Sequence, residues 1–186
     1  NYQGATADNA LWYKTGAFLA SANGANNSIY ARDGADWEQQ ALPIGNGYMG
    51  GMIFGLPDKD QIQINEETFW AAGYRGTQTG VNSNTVNSKM SEGINGYMSV
   101  GNIFVDFNMQ KGATVNNYYR DLNLDESVAH VRYEYDNKNF NREYFASYPK
   151  EVLVFRYTGD DLNFGVKPVS MHPGNVTVNN GEIKIV

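Results

Sequence analysis

Adjacent carboxylates at Glu66 and Glu67 come closest, among the side chains of this sequence, to an acid–base pair. Two carboxyl groups that share acid and base roles must flank one reacting bond from facing surfaces. Neighbouring residues of an extended segment point to opposite faces of it. We therefore interpret the pair as turn-capping or salt-bridging groups, with the lining of a binding site as the alternative. Four further carboxylates are interpreted as solvated strand or turn residues: Asp106, Asp121, Asp125 and Glu143.

The two histidines, His130 and His172, are far apart in the sequence. Neither has an Asp, Glu or His neighbour at the spacing of a metal site or of a catalytic triad. Cysteine is absent, which excludes disulfides, thiol catalysis and thiolate zinc sites. The residues alone therefore predict no metal site, no catalytic residue and no assembled active site.

Three glycines, Gly45, Gly47 and Gly50, spell the dinucleotide-binding pattern G-x-G-x-x-G. That fingerprint needs a helix that begins at the glycines, because its N-terminal amides hold the pyrophosphate. Here a β-rich run follows without helical periodicity, and Asn46-Gly47 is a strong tight-turn dipeptide. We therefore predict a turn between two strands, and neither a nucleotide nor another cofactor.

The composition limits the class of partner. Charged residues make up 18% of the 186 residues, and the net charge is −6. An acidic chain of this kind cannot neutralise a phosphate backbone, so nucleic acid and anionic membrane surfaces are excluded as main partners. No run of 18 apolar residues is present, so we expect no membrane span.

Alternating apolar and polar residues predict an all-β protein. Residues 131–135 and 140–145 form one predicted hairpin, and residues 176–178 and 183–185 form another across an Asn-Gly turn. The apolar run 152–155 fits a strand that is covered on both faces. Short strands separated by turn signals predict an antiparallel β-sandwich of two large sheets.

The chain divides into two parts of different composition. Residues 1–36 are predicted to be a loop-rich N-terminal segment with an insertion, and residues 37–186 to be the β-sandwich domain. Val186 ends the sequence inside a strand pattern, and a sheet cut there would leave an unpaired edge. We therefore expect a fragment, the incomplete N-terminal domain of a larger enzyme.

Several ordered motifs together resemble the glycoside hydrolases of family 95, whose known members are mostly α-L-fucosidases. The motifs are residues 11–13 (Leu-Trp-Tyr), 41–47 (Ala-Leu-Pro-Ile-Gly-Asn-Gly), 65–70 (Asn-Glu-Glu-Thr-Phe-Trp), 97–107, 119–124 and 142–147. Departures from the family pattern are an apparent insertion at residues 14–36, a shorter segment at 74–96, Ala71-Ala72-Gly73 after the tryptophan, and Asn102 where aspartate is common.

The resemblance implies that two domains of the enzyme have different functions. In the family this region is an N-terminal β-sandwich, and the catalytic residues lie in a later α/α barrel that cleaves fucosyl linkages with inversion. It implies a chain that is inactive alone, with the downstream barrel and a fucosylated or L-galactosylated glycan as partners. We also expect a secreted or cell-surface bacterial protein. The alternative is a free-standing carbohydrate-binding module.

Four residues are candidates for substrate binding or for an interface with the barrel: Asn46, Asn65, Glu66 and Trp70. Buried amides need hydrogen-bond partners, and Trp is a typical interface anchor. The aromatic residues around the glycine-rich block could instead stack on sugar rings, although large aromatics are more often core or interface residues. These aromatics are Trp37, Tyr48, Trp70 and Tyr74.

Overall fold

A computed structural model describes residues 7–17, 40–69, 99–110, 114–170, 172 and 174–185. The described residues contain twelve strands and no helix, so they contain no helix long and apolar enough to cross a membrane. Two five-stranded antiparallel sheets pack face to face, which confirms the predicted all-β, sandwich-like architecture.

Sheet 1 has the strand order β1-β6-β7-β8-β9. Its strands are β1 (Ala10–Tyr13), β6 (Val115–Asn123), β7 (Val128–Tyr135), β8 (Lys138–Ser147) and β9 (Val152–Gly159). β1 lies within the predicted loop-rich segment 1–36 and pairs with β6. The first sheet therefore takes one edge strand from the N-terminal part of the chain.

Sheet 2 has the order β10-β5-β4-β3-β2, and a separate hairpin follows it. The strands of sheet 2 are β2 (Leu42–Gly45), β3 (Met49–Ile53), β4 (Lys59–Glu66), β5 (Gly101–Asp106) and β10 (Gly165–Ser170). The hairpin consists of β11 (Val176–Asn179) and β12 (Glu182–Ile185). β2 packs on β6, β7 and β8, while β3 packs on β8 and β9.

The core lies between the two sheets and follows the alternation of each strand. Inward positions carry branched aliphatic residues from sheet 2 and mainly aromatic residues from sheet 1. They include Leu42, Ile53, Ile62, Val105, Val131, Tyr133, Phe140 and Tyr144. Burial of these side chains stabilises the sandwich, because removing one large apolar side chain from water contributes roughly 1.5–3 kcal/mol.

Three predicted turns form where the sequence places them. Asp136 and Asn137 both have positive φ (52° and 56°), as do Asn180 and Gly181 (48° and 80°). Two consecutive positive φ values are the mark of a type I′ turn, whose twist suits a hairpin. Gly47 has φ 94° in the turn between β2 and β3. A strand turn therefore stands where the G-x-G-x-x-G pattern would need a helix.

The apolar run in β9 differs from its prediction. β9 is the edge strand of sheet 1, paired with β8, and Val152 is 42% exposed. Residues 153–155 are half-buried. The prediction of a strand covered on both faces is thus wrong for the described structure, because its inner residues face sheet 2 while no described strand packs on its outer side.

Candidate functional site

Three of the four candidate residues lie at one end of sheet 2. Asn65 pairs with Gly50, and Glu66 pairs with Met49, at the end of the β3–β4 ladder. The backbone N–H of Asn46 donates to the Met49 carbonyl at 3.1 Å. The fold therefore brings Asn46 close to Asn65 and Glu66, which follow it by 19 and 20 positions in the sequence.

Asn46 uses both ends of its side-chain amide. Its Oδ1 accepts hydrogen bonds from the backbone N–H groups of Tyr48 (3.0 Å) and Met49 (2.8 Å). Its Nδ2 donates to the Ser147 carbonyl at 2.8 Å, at the end of β8. One side chain thus shapes the β2–β3 turn and joins sheet 2 to sheet 1.

An exposed aromatic pair lies beside this turn. The rings of Tyr48 and Tyr148 have centroids 5.9 Å apart, and the two residues are 38% and 65% exposed. Tyrosine offers an apolar face together with a polar tip, which suits both protein interfaces and sugar rings. We call this surface the turn end and define it by Asn46, Tyr48, Glu66 and Tyr148.

Glu66 caps a local turn. Its Oε2 accepts hydrogen bonds from the backbone N–H of Thr68 (3.0 Å) and from the Thr68 hydroxyl (2.6 Å). Glu67 donates its backbone N–H to the Tyr48 carbonyl. The Oδ1 atom of Asn65 is buried and has no hydrogen-bond partner within the described part of the chain. Glu66 therefore acts as a turn cap here, as its interpretation from sequence favoured.

Three aromatic candidates remain. Trp70, Trp37 and Tyr74 lie outside the described residues. The proposed roles of Trp70 at an interface, and of these aromatics in sugar stacking, stay predictions.

A buried charged cluster inside the sandwich was missed by the sequence analysis. Asp60 is fully buried, and its carboxylate accepts hydrogen bonds from the N–H groups of Gly55 and Gln61 and from the Tyr144 hydroxyl. Arg142, 1% exposed, lies 3.4 Å from the same carboxylate. The alternation of β4 could have indicated this burial, because Asp60 lies two residues before the buried Ile62 and therefore on the same inward face.

Arg142 fixes the loop between β3 and β4. Its guanidinium donates to the carbonyls of Leu56 and Pro57, and it lies 3.7 Å from the centroid of the Phe107 ring. Burial raises the pKa of Tyr144 well above the ordinary value, and the Asp60 carboxylate raises it further. Tyr144 therefore stays protonated and donates to Asp60. The cluster is enclosed, so it holds the fold together and offers no surface to a ligand.

One row of side chains crosses all five strands of sheet 1 on its outer face. The paired residues are Trp12, Asp121, His130, Glu143 and Arg156. His130 Nδ1 lies 3.0 Å from Asp121 Oδ1, and both residues are buried.

Two interpretations from sequence are corrected: His130 has a carboxylate partner, and Asp121 is not solvated. The reason is the β6–β7 hairpin, which places residues equidistant from its turn opposite each other.

The outer row does not form a catalytic pair of carboxylates. Glu143 is bound by the exposed Arg156, whose hydrogen bond lowers the pKa of the Glu143 carboxyl below its ordinary value. Asp121 is fully buried against His130. Within the described ranges, no group of three His, Asp or Glu residues is placed to hold a metal ion. The side chains of this row can therefore form ion pairs and hydrogen bonds with one another.

Comparison with known proteins identifies similar domains. A family model described as "Glycosyl hydrolase family 65, N-terminal domain" matches residues 19–87 and 75–185. "Alpha-L-fucosidase 2" of Arabidopsis thaliana is 29% identical over an alignment of 142 positions, which covers 61% of this chain and 16% of that protein.

Two fungal proteins are also similar. "Probable alpha-fucosidase A" of Aspergillus niger is 26% identical over an alignment of 174 positions, which covers 78% of this chain and 22% of that protein. The protein of the same name from Aspergillus oryzae is 22% identical over an alignment of 157 positions, which covers 70% of this chain and 21% of that protein. The chain thus spans about a fifth of the length of these curated relatives.

Proposed function

Because the chain belongs to the family of glycosyl hydrolase family 65 N-terminal domains, we propose that it is the non-catalytic β-sandwich of a family 95 α-L-fucosidase. In this proposal a downstream barrel domain of the same polypeptide hydrolyses fucosyl linkages with inversion. The observation that carries the proposal is the similarity of most of the chain to relatives named as fucosidases, of whose length the match covers 16–22%. The ordered motifs from Leu-Trp-Tyr at residues 11–13 onward support family 95 in particular.

Three carboxylates among the described residues support a non-catalytic role. Asp60 and Asp121 are fully buried and bound to Tyr144 and His130, respectively. Glu66 caps a turn. A glycosidase needs two carboxyl groups on opposite sides of a sugar-binding cleft, either about 5 Å or about 6.5–9.5 Å apart. Carboxylates that are enclosed or bound to neighbouring backbone cannot take those roles.

An apolar stripe on the β11–β12 hairpin supports the proposal that another domain packs against this chain. Val176 pairs with Ile185 and Val178 with Ile183, so these four side chains share one face. All four are exposed, Val178 by 72%. An isolated two-stranded hairpin is at best marginally stable in water, and contiguous exposed apolar residues mark contact surfaces. We assign this stripe, together with the turn end, to contact with the barrel domain.

The proposal is tested by comparing the full-length protein with the 186-residue chain. The full-length protein should hydrolyse 4-nitrophenyl α-L-fucoside, and NMR of the first product should show β-L-fucose, as inversion requires. The chain alone should be inactive, because the enclosed or turn-capping carboxylates Asp60, Asp121 and Glu66 cannot act as a facing acid–base pair.

Two outcomes would contradict the proposal. Turnover by the purified chain, lost on substitution of Glu66 or Glu143, would show that the domain is catalytic. A full-length protein that cleaves other glycosides and leaves α-L-fucosides intact would refute the substrate class. α-L-Galactosides serve as the comparison substrate, since they differ from fucosides only by a hydroxyl at C6.

We also propose a secreted or cell-surface location in a bacterium, where a glycan-cleaving enzyme meets its substrate directly. Cell fractionation with an antibody to the chain tests this proposal. Detection in the cytosol alone would refute it.

A further inference from the structure

A polar cleft of about 240 Å³ lies on sheet 1, at the end opposite the turn end. Its side chains come from β6, β7 and β8: Asn117, Arg132, Glu134, Asn139 and Asn141. Arg132 pairs with Asn141, and Glu134 pairs with Asn139, so these four side chains share one face of the sheet. Tyr133 and Phe140, in the alternate positions, stack on each other in the core, so the cleft lies on the outer face.

A β-bulge forms one wall of this cleft. The register between β6 and β7 shifts between Asn116 and Tyr119, and Asn117 takes a positive φ of 50°. Bulges bend a strand and redirect a side chain. Asn117 Nδ2 donates to Glu134 Oε2 at 2.8 Å, which holds both groups at the rim. The concavity is therefore built into the backbone of sheet 1.

The lining groups suit a neutral ligand rich in hydroxyls. The amides of Asn117 and Asn139 already donate to Glu134 and Asp160, so they offer mainly their oxygens as acceptors. The Asn141 amide carries both donors and an acceptor, and the Arg132 guanidinium and the Glu134 carboxylate lie beside it. A sugar hydroxyl both donates and accepts, so vicinal hydroxyls match such a mixed set. The positive charge of Arg132 and the negative charge of Glu134 offset each other. A neutral ligand therefore fits better than an anion or a cation.

An aromatic platform lies on the same face. Tyr119 pairs with Arg132 across β6 and β7, and its ring stacks on Trp12 with centroids 6.2 Å apart. Trp12 is 40% exposed, whereas Tyr119 is 1% exposed and only supports the Trp12 ring from below. The apolar C–H face of a pyranose packs on aromatic rings of this kind. Hydroxyl-binding groups and an aromatic surface thus follow one another along the outer face of sheet 1.

We propose that this cleft binds a neutral oligosaccharide, with one pyranose between Asn117 and Asn141 and the chain continuing towards Trp12. The choice of a sugar among neutral polyols rests on the proposed function. The domain then holds glycan substrate in addition to supporting the barrel.

Saturation-transfer NMR on the purified chain tests the proposal, with 2′-fucosyllactose, a xyloglucan heptasaccharide and cellotetraose as probes. At least one probe should bind with a dissociation constant in the millimolar range. Asn141→Ala should weaken binding about fivefold, the value of one net hydrogen bond of about 1 kcal/mol. The double variant Glu134→Ala/Asn141→Ala should weaken it further. Asn179→Ala, which removes another exposed strand asparagine on β11, should leave binding unchanged.

The possible outcomes separate this proposal from the fucosidase proposal. Absence of binding by all three probes would overturn the proposal that the cleft binds a glycan, whatever the full-length protein hydrolyses. Binding that Asn141→Ala leaves intact, or that Asn179→Ala weakens equally, would overturn this proposal as well. Binding that depends on Asn141, in a protein that does not cleave α-L-fucosides, would support glycan binding by the cleft and refute the fucosidase proposal.

Discussion

The buried cluster around Asp60 decides stability at the scale of single residues. Its carboxylate has no access to water and relies on Tyr144, Arg142 and two backbone N–H groups. A buried charge costs several kcal/mol unless hydrogen bonds and an opposite charge offset that cost. Loss of any one partner therefore matters more than loss of a surface ion pair such as Lys138–Asp161.

Tyr144→Phe tests this cluster. The change removes the hydroxyl that donates to Asp60 and keeps the ring in the core, so the free energy of unfolding should fall by about 1–3 kcal/mol. Tyr148→Phe is the matched control, because Tyr148 is 65% exposed; its effect should stay within about 0.5 kcal/mol. Urea unfolding followed by circular dichroism measures both. Equal effects of the two variants would show that the Asp60 hydrogen bond contributes little.

At the scale of elements, close backbone approach limits the pairing of β5 with β10. A Cβ atom added at Gly101 would lie 2.3 Å from the Val169 carbonyl oxygen. Gly165, at the other end of the same two-strand ladder, has open space around the same position. The two glycines thus have different structural roles. Gly101 allows the backbones of β5 and β10 to approach closely, whereas Gly165 lies at the end of the ladder without such a contact.

The pair of variants Gly101→Ala and Gly165→Ala separates these roles. Gly101→Ala should destabilise the domain by about 1–3 kcal/mol, because backbone must move to admit the methyl group. Gly165→Ala should be neutral or stabilise by up to about 1 kcal/mol through the unfolded state. Thermal unfolding of both variants is the measurement. A Gly101→Ala protein as stable as the parent would mean that β10 is not held against β5 at this position.

At the scale of the whole molecule, buried tyrosines make the sandwich sensitive to alkali. Burial raises the pKa of each of four tyrosines above the ordinary value: Tyr118, Tyr133, Tyr144 and Tyr157. Their hydroxyls face the region between the sheets, where the Asp60 carboxylate raises each pKa further. The folded domain must therefore keep these four groups neutral.

Stability should be lost as pH rises above about 10, where tyrosines in the unfolded chain begin to ionise. The folded pKa values are higher, so the unfolded state releases its protons first; below pH 10 this contribution is fully present. Absorbance at 295 nm should show exposed tyrosines ionising first and the buried ones only together with unfolding by circular dichroism. Ionisation of all 13 tyrosines near pH 10 without loss of the β-sheet signal would contradict the burial.

Much of the fold could be predicted because it depends on neighbours in sequence. Strand alternation and the Asn-Gly and Asp-Asn turns act within a few residues, so the all-β class and the hairpins at 128–147 and 176–185 followed from local rules. The family resemblance of the motifs is likewise a property of the sequence. Asn46 and Glu66 lie close together at one end of the sandwich, and their role in substrate binding or at an interface stays a prediction.

Only the tertiary structure decided which polar groups meet. Asp60 and Tyr144 are 84 residues apart, and His130 meets Asp121 only because the β6–β7 register aligns them. The polar cleft likewise requires a bulge that shifts register between Asn116 and Tyr119. A one-residue slip in register exchanges the inner and outer faces of a strand. Strand patterns therefore determine the sheets, whereas the packing of distant strands determines which side chains can act together.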